Sequence, residues 1–215
     1  IGGIETVTAL LADEFVRLGH EVAVVTQTSG ESETSFPYRV LRKPSLGDLR
    51  RALRWSEVFW QNNMSLRTLW LALLQRVPIV ITHQGSYCRL PSGPDLALRL
   101  KRAVAEQTTS VAISHAVAAS FDVASEIIPN PFDARLFEPG PPTAERPNDL
   151  VFLGRLVTEK GLDILLAAVA KTNARLTIVG AGPERENAED LATRLGLQDR
   201  VHFAGPKRGA ELLAL

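Results

Sequence analysis

The stretch LVFLGRLVTEKGLDILLAAVA, residues 150–170, decides the fold of this chain. Its first four residues are apolar, as in a strand that is buried on both faces. Gly154 and Arg155 follow, and residues 161–170 carry apolar side chains at helical spacing. A glycine turn between a buried strand and a helix is the repeating unit of doubly wound sheets. The stretch therefore predicts an α/β fold in which helices cover a mostly parallel sheet.

The same alternation continues on both sides of this stretch, where short β-branched runs are separated by amphipathic helical patterns. The predicted strands are 22–26, 38–41, 58–61, 79–82, 111–114, 127–128, 150–153, 176–179 and 201–203. The predicted helices are 4–18, 66–74, 96–105, 115–121, 161–170 and 184–195, with Ser114 as an N-cap and Gly19 as a C-terminal cap. The doubly wound interpretation therefore applies along the whole chain.

Residues 139–149 divide the chain into two predicted domains. The sequence there, PGPPTAERPND, contains four prolines and cannot continue a helix or a central strand, so we interpret it as a linker. Residues 1–138 form one Rossmann-like domain and residues 150–215 begin a second one. The second domain is expected to be incomplete, because a full domain usually has about 100 to 150 residues.

The chain opens with Ile1, Gly2 and Gly3 and then runs directly into a helix. In doubly wound folds such a glycine turn follows a strand, so we expect a first strand to be missing here. In the common strand order that strand lies at the centre of the sheet. Its absence would leave unpaired backbone groups on both neighbouring strands.

Charge and cysteine content exclude several classes of protein. The chain has 24 basic and 24 acidic residues, so no sequence-wide field favours nucleic acid. The single cysteine, Cys88, cannot form an internal disulfide, and no Cys or His pair has metal-ligand spacing, so no metal site is predicted. No apolar run approaches the roughly 20 residues of a membrane span. We expect a cytoplasmic protein; Arg50, Arg51 and Arg54 form either a solvated face or a weak peripheral contact with anionic lipid at the inner face of the membrane.

Glycine and cationic residues follow the predicted strand 150–153 and indicate an anion site. Ligands of open α/β sheets bind at the carboxyl ends of the strands. Gly154, Arg155 and Lys160 would surround the amino end of the helix that begins near Gly161, where exposed amides and the helix dipole favour a diphosphate. The alternative is that Arg155 and Lys160 are ordinary surface charges.

Three further features sit at strand ends or helix starts. Gly2 and Gly3 would allow a phosphate or sugar to approach the backbone, or would simply form a tight turn. The loop at 180–183, GAGP, lacks the third glycine of a dinucleotide fingerprint, so a nicotinamide cofactor is disfavoured and a turn is the better interpretation. His83 ends an apolar strand, where it is either structural or a proton donor or acceptor facing the ligand.

Taken together, these segments resemble the retaining glycosyltransferases of family 4, whose GT-B fold places two Rossmann-like domains across a cleft. The resemblance covers nearly the whole chain. The motifs on which it rests are GGIE (2–5), LGHEV (18–22), PIVITH (78–83), AIS (112–114), IPNPFD (128–133), FLGRL (152–156), EKGLD (159–163) and the segments 176–183 and 195–205.

The resemblance implies an acceptor in the first domain and a nucleotide-sugar, UDP- or GDP-linked, in the second. Arg155 and Lys160 would neutralise the donor diphosphate with Gly154 beside them, and the turn at Gly2 and Gly3 would close on it. His83 would lie at the donor sugar as the catalytic residue. No metal or cofactor is implied, and the acceptor is a glycan, a lipid or a small molecule.

The chain departs from the family pattern in two further places, and other interpretations stay open. It ends before the family's paired glutamates, and Pro131 follows Asn130 where glycine is common. A nucleotide-sugar 2-epimerase shares the architecture, although no acid and base residues for it are located. A non-catalytic nucleotide-sugar-binding remnant is the other alternative.

Overall fold

The computed structural model describes residues 3–29, 35–85, 96–134, 148–207 and 209–213. Within them, helices and parallel strands alternate, which confirms the predicted α/β class. The chain divides into two compact units, Ile1–Phe132 and Asp133–Leu215. Residues 139–147 of the predicted linker, and Gly2 of the predicted site, lie outside the described residues.

The first unit contains five helices and six strands within its described residues. The helices are α1 (Gly3–Arg17), α2 (Leu46–Trp55), α3 (Leu66–Gln75), α4 (Leu96–Ala105) and α5 (His115–Phe121). The strands are β1 (Ala23–Thr26), β2 (Arg39–Arg42), β3 (Phe59–Asn62), β4 (Ile79–His83), β5 (Thr109–Ala112) and β6 (Glu126–Ile127). The strands that pair do so in parallel, in the orders β1-β2 and β3-β4-β5-β6.

The strands of the first unit therefore form two sheets instead of one. In the described part of the chain, no ladder joins β1 to β3. The four-stranded sheet packs on a core whose fully buried members include Leu69, Ile81 and Phe121.

Local capping fixes the ends of several helices. The Ser45 hydroxyl accepts a hydrogen bond from the Asp48 amide at the start of α2, and the Asp48 carboxylate accepts one from the Ser45 amide in return. The predicted cap at Ser114 is present, since its Oγ accepts a hydrogen bond from the Val117 amide. Such caps satisfy amide groups that have no partner within the helix. Gly19, with φ of 92°, follows the end of α1 as predicted.

The second unit is built on a three-stranded parallel sheet in the order β7-β8-β9. Its strands are β7 (Leu150–Leu153), β8 (Leu176–Val179) and β9 (Val201–Gly205), and its helices are α6 (Leu162–Val169), α7 (Arg185–Arg194) and α8 (Ala210–Leu213). The central strand β8 is buried along its whole length, as its run of apolar and β-branched residues predicts. Leu166, Ile178 and Leu197 form part of the core between sheet and helices.

All predicted element boundaries lie within two residues of the observed ones, but one shifted strand and one missed helix need explanation. The strand predicted at 111–114 lies at Thr109–Ala112, because Ser114 leaves the ladder to cap α5. Helix α2 is absent from the predicted elements; its polar face carries Arg50, Arg51 and Arg54 and only a narrow apolar side is buried. Across the residues that the structure describes, no helix is long and apolar enough to cross a membrane.

Candidate functional site

Three amide side chains are linked at the carboxyl edge of the four-stranded sheet. Asn62 is the last residue of β3, Gln84 follows the end of β4, and Asn130 lies three residues after β6. Gln84 Nε2 donates to Asn62 Oδ1 at 2.8 Å and to Asn130 Oδ1 at 2.9 Å, and Asn130 Nδ2 donates back to Gln84 Oε1 at 2.8 Å. We refer to Asn62, Gln84 and Asn130 as the amide chain.

The first helix anchors one end of the amide chain. Asn62 Nδ2 donates to the carbonyl oxygen of Ile4 at 3.1 Å and to Thr8 Oγ1 at 2.9 Å. A carbonyl oxygen can only accept, so the nitrogen of Asn62 must face α1 and its oxygen must face Gln84. The nitrogen of Gln84 must then face the oxygen of Asn62, and the two bonds between Gln84 and Asn130 fix the orientation of Asn130 in turn. One backbone carbonyl therefore fixes the orientation of all three amides.

The ring of His83 lies on the other side of β4, in the core. The side chain is 1% exposed, and its ring centroid lies 4.8 Å from that of Phe121 on α5. Its Nε2 lies 3.3 Å from Ser110 Oγ, which itself donates to the Ala105 carbonyl. Because Ser110 has one proton to give, Nε2 of His83 must carry the hydrogen of their shared bond. Burial lowers the pKa of His83 from 6.5 to about 4, so the ring is neutral at pH 7.

The turn after β7 carries the cationic residues of the second unit. Arg155 and Lys160 are both exposed, and within the described residues neither takes part in an ion pair. Lys160 ends a 3-10 turn, Thr158–Lys160, and Gly161, with φ of 64°, passes the chain into α6. The turn therefore presents two cations close in sequence to the start of an eight-residue helix.

A second loop holds this turn in place through its backbone. Gly154 N donates to the Val179 carbonyl, and Leu156 N donates to that of Ala181, each at 3.0 Å. The residues on both sides of Arg155 are thus fixed, and the Leu156 side chain is fully buried. The peptide backbone of Arg155 is consequently held while its guanidinium group stays exposed.

Gly180 and Gly182 are required by the closeness of this contact. A Cβ atom at Gly180 would lie 1.8 Å from the Gly154 carbonyl oxygen, and one at Gly182 would lie 2.1 Å from that of Leu156. No side chain fits at such distances. Residues 180–183 therefore need their glycines because the backbone of residues 154–156 passes close to them, which agrees with the interpretation of this segment as a turn.

Comparison with known proteins identifies the family of the chain. The sequence profile described as Glycosyltransferase Family 4 matches residues 1–136, and the profile described as Glycosyl transferases group 1 matches residues 135–215. The chain belongs to glycosyltransferase family 4. The predicted resemblance and the GT-B type of fold are thereby confirmed.

Relatives and solved structures agree with this assignment. The chain is 44% identical to the lipopolysaccharide core biosynthesis glycosyltransferase LpsD of Rhizobium meliloti over 88 residues, 37% of this chain and 25% of that protein. It is 36% identical to the D-inositol 3-phosphate glycosyltransferase of Stackebrandtia nassauensis over 109 residues, 40% of this chain and 24% of that protein. These matches span only part of the relatives' lengths.

Among solved structures, the fold matches Anabaena Alr3699/HepE in complex with UDP with a TM-score of 0.75 at 22% identity. That match covers 99% of this chain and 68% of the other. A glycosyltransferase from Rickettsia africae gives a TM-score of 0.70 at 14% identity, covering 99% of this chain and 67% of the other. At these identities the likeness shows the fold.

The structure places the predicted site residues in three separate settings. Gly154, Arg155 and Lys160 lie together in the turn of the second unit, Gly3 is the first residue of α1, and His83 is buried in the first unit. The expectation that the His83 side chain projects towards a ligand does not match its position, because β4 turns the ring towards Phe121. Its catalytic role stays a prediction. Asn62 was not predicted as a site residue, because an asparagine directly after the predicted strand 58–61 has no local feature that indicates a ligand.

Replacing Gly182 by alanine should strongly destabilise the second unit. The added methyl group would overlap the Leu156 carbonyl oxygen, and forced overpacking of this kind costs about 1–3 kcal/mol or more. Gly154→Ala is the matched control, because its Cβ would meet only the Phe152 ring at 3.6 Å and should change stability by about 1 kcal/mol at most. Urea unfolding of both variants measures the difference. Equal stabilities would contradict the close-contact argument.

The neutral, buried His83 should make stability depend on pH between about 6.5 and 4. In this range the unfolded chain binds a proton at His83 and the folded chain does not, so stability is lost as pH falls. His83→Gln keeps an amide donor near Ser110 but does not titrate. Urea unfolding from pH 7 to 4 should show a shallower decline for His83→Gln than for the natural sequence. Parallel declines would contradict the assignment.

Proposed function

We propose that the protein carrying these residues transfers a sugar from a nucleotide-sugar to an acceptor hydroxyl, with retention of configuration at the sugar. The observation that carries the proposal is the turn 154–156. Its backbone is fixed on both sides of Arg155, and the guanidinium group is exposed at the carboxyl end of a parallel strand in a chain of family 4. Groups held before the ligand arrives stabilise developing charge without reorganisation.

Arg155 and Lys160 would bind the diphosphate of the donor. A cation about 4 Å from a phosphate oxygen contributes roughly 4 kcal/mol at an effective dielectric constant near 20, before desolvation is counted. Two cations can therefore offset much of the charge that builds on a departing diphosphate. On this basis we propose that neither a metal ion nor a further cofactor is required. The relation to Anabaena HepE, solved with UDP, makes a UDP-linked sugar the first donor to examine.

The proposed reaction breaks the bond between the sugar C1 and the phosphate oxygen of the donor. The acceptor hydroxyl oxygen then bonds to C1 from the same face, and its proton passes to the departing phosphate oxygen. The products are the glycosylated acceptor and a nucleoside diphosphate. The residues described supply positioning and charge, which is where much of an enzyme's rate enhancement arises.

The position of His83 at the end of β4 suggests an indirect role in the proposed reaction. His83 is the last residue of β4, and its buried ring contacts Phe121 and Ser110. Gln84 follows it directly. A direct catalytic role would need the ring to leave this position. We therefore propose that His83 acts as a positioning residue for Gln84, which follows it directly.

We also propose a weak contact between the first unit and the inner, anionic face of the cytoplasmic membrane. Residues 39–58 contain six basic and two acidic residues, although the whole chain is neutral. Arg50, Arg51 and Arg54 are exposed on α2, and Leu46 and Trp55 at its ends are exposed apolar residues. Exposed cations beside amphipathic aromatic and aliphatic side chains suit an anionic lipid surface.

Loss of either cation in the diphosphate turn should reduce turnover. Arg155→Ala and Lys160→Ala in the full-length protein are each expected to lower kcat about 10²-fold, as the loss of one preorganised charge-stabilising group does. Arg175→Ala is the matched control, because this exposed arginine lies before the amino end of β8 and not after a carboxyl end. Transfer from UDP- and GDP-sugars is measured with and without EDTA.

Unchanged rates in both variants would contradict the diphosphate assignment, and a rate abolished by EDTA would contradict metal independence. Product analysis separates the alternatives: a sugar epimerised at C2, either still linked to the nucleotide or released by water, indicates an epimerase. A thermal shift with nucleotide but no product indicates a binding remnant. A bound nucleotide at 100 times its Kd stabilises by about 2.7 kcal/mol, which such a shift detects.

Removal of the α2 cations should weaken vesicle binding. The triple variant Arg50→Ala, Arg51→Ala, Arg54→Ala is expected to bind phosphatidylcholine vesicles containing phosphatidylglycerol at least about tenfold more weakly than the natural protein, because each basic residue near an anionic surface contributes about 1 kcal/mol. The control removes three exposed arginines elsewhere in the first unit, Arg17, Arg67 and Arg99. Co-sedimentation measures binding. Equal loss in both triple variants would contradict a specific α2 contact.

A further inference from the structure

We propose that the amide chain of Asn62, Gln84 and Asn130 binds the uncharged hydroxyl groups of a sugar acceptor. This inference rests on the proposed transferase function and adds the chemical class of the acceptor to it. The three residues come from separate parts of the sequence and meet at the carboxyl edge of β3, β4 and the segment after β6. Open α/β sheets bind their ligands at this edge.

The hydrogen-bonding inventory of the amide chain leaves mostly acceptors for a ligand. Asn62 uses both amide hydrogens on α1, and Gln84 uses both of its own on the neighbouring oxygens. Each of the three amide oxygens accepts one bond from within the amide chain and has a second lone pair. Asn130 keeps one hydrogen for donation. The amide chain thus offers three acceptors and one donor in fixed orientation.

This set of atoms matches sugar hydroxyls better than an anion. A hydroxyl can donate to an amide oxygen and accept from the remaining Asn130 hydrogen, whereas a phosphate or carboxylate oxygen can only accept and would be repelled by the three oxygens. None of the three amides carries a formal charge that could balance an anion. The amide chain therefore discriminates in favour of neutral hydroxyl-bearing groups, while the cations of the second unit bind phosphate.

The position of the amide chain leaves room for contact with a ligand. Asn130 is exposed, and Gln84 and Asn62 are only half-buried. A sugar that bonds to these amides would replace its hydrogen bonds to water by bonds to side chains that are already oriented. The protein would therefore lose little conformational entropy on binding. Because the Ile4 carbonyl fixes the direction of the whole amide chain, an isosteric change at one amide must disturb the pattern at the next.

Two isosteric variants test the proposal in the full-length protein. Asn130→Asp replaces the donor of the spare hydrogen by an oxygen, and Gln84→Glu removes both donors that orient its neighbours. Each is expected to raise the KM for neutral methyl hexosides, used as model acceptors, at least about tenfold, because unpaired polar groups in a hydrogen-bonding site strongly reject a mismatched partner. The rise should be larger for the acceptor KM than for the donor KM, and this difference between the two KM values is the readout.

Asn173→Asp is the matched control, since it makes the same change at an exposed site in the loop before β8. Saturation-transfer NMR gives a readout that does not need turnover. The natural protein should bind methyl hexosides, bind their 6-phosphates more weakly, and lose the signal in Asn130→Asp but not in Asn173→Asp.

Several results would overturn the inference. These are tighter binding of the 6-phosphates, no methyl hexoside binding by the natural protein, or an acceptor KM unchanged in both variants while only their stability falls. Failure of the proposed function has a different signature. In that case no donor is hydrolysed or transferred by the natural protein, while the NMR experiment still decides whether the amides bind neutral sugars.

Discussion

The contact between two backbone segments in the second unit is the constraint on which its candidate site depends. Gly180 and Gly182 lie so close to the carbonyl oxygens of Gly154 and Leu156 that any Cβ would overlap them. The turn after β7 is therefore held by the backbone of its neighbour as well as by the buried side chain of Leu156. A cation on such a turn can act on a ligand without the entropic cost of first ordering the peptide that carries it.

Parallel strands place different chemistry at the carboxyl edges of the two units. In the second unit the edge carries Arg155 and, beyond it, Lys160, and in the first it carries the neutral amide chain. A diphosphate needs opposite charge, and a sugar hydroxyl needs oriented donors and acceptors. On the proposed function, each unit would supply the groups that one half of a glycosyl transfer requires. The zero net charge of the whole chain conceals this local division of charge.

The sequence was informative for most elements that local physics decides, although helix α2 was missed despite the local capping box of Ser45 and Asp48. The run of apolar and β-branched residues 176–179 was predicted as a strand and Ser114 as a helix cap, and both are confirmed, because spacing and side-chain chemistry suffice for both. Gln84 and Asn130 follow predicted strands, but Asn62 and the bonds of the amide chain were not predicted, since Asn62 bonds to Ile4, 58 residues earlier, and Gln84 bonds to Asn130, 46 residues later. Nothing local distinguishes such an asparagine from any other at a strand end.

The placement of His83 shows how tertiary packing decides between adjacent candidates. Side chains alternate across a strand, so Ile81 and His83 must share one face of β4, and both are buried. That alternation leaves open whether His83 or Gln84 faces the core. His83 was predicted to face the ligand because of its chemistry. Phe121 on α5 settles the choice, because its ring covers the face on which His83 lies. The polar group left at the carboxyl edge is then the amide of Gln84, whose two hydrogens orient the oxygens on either side.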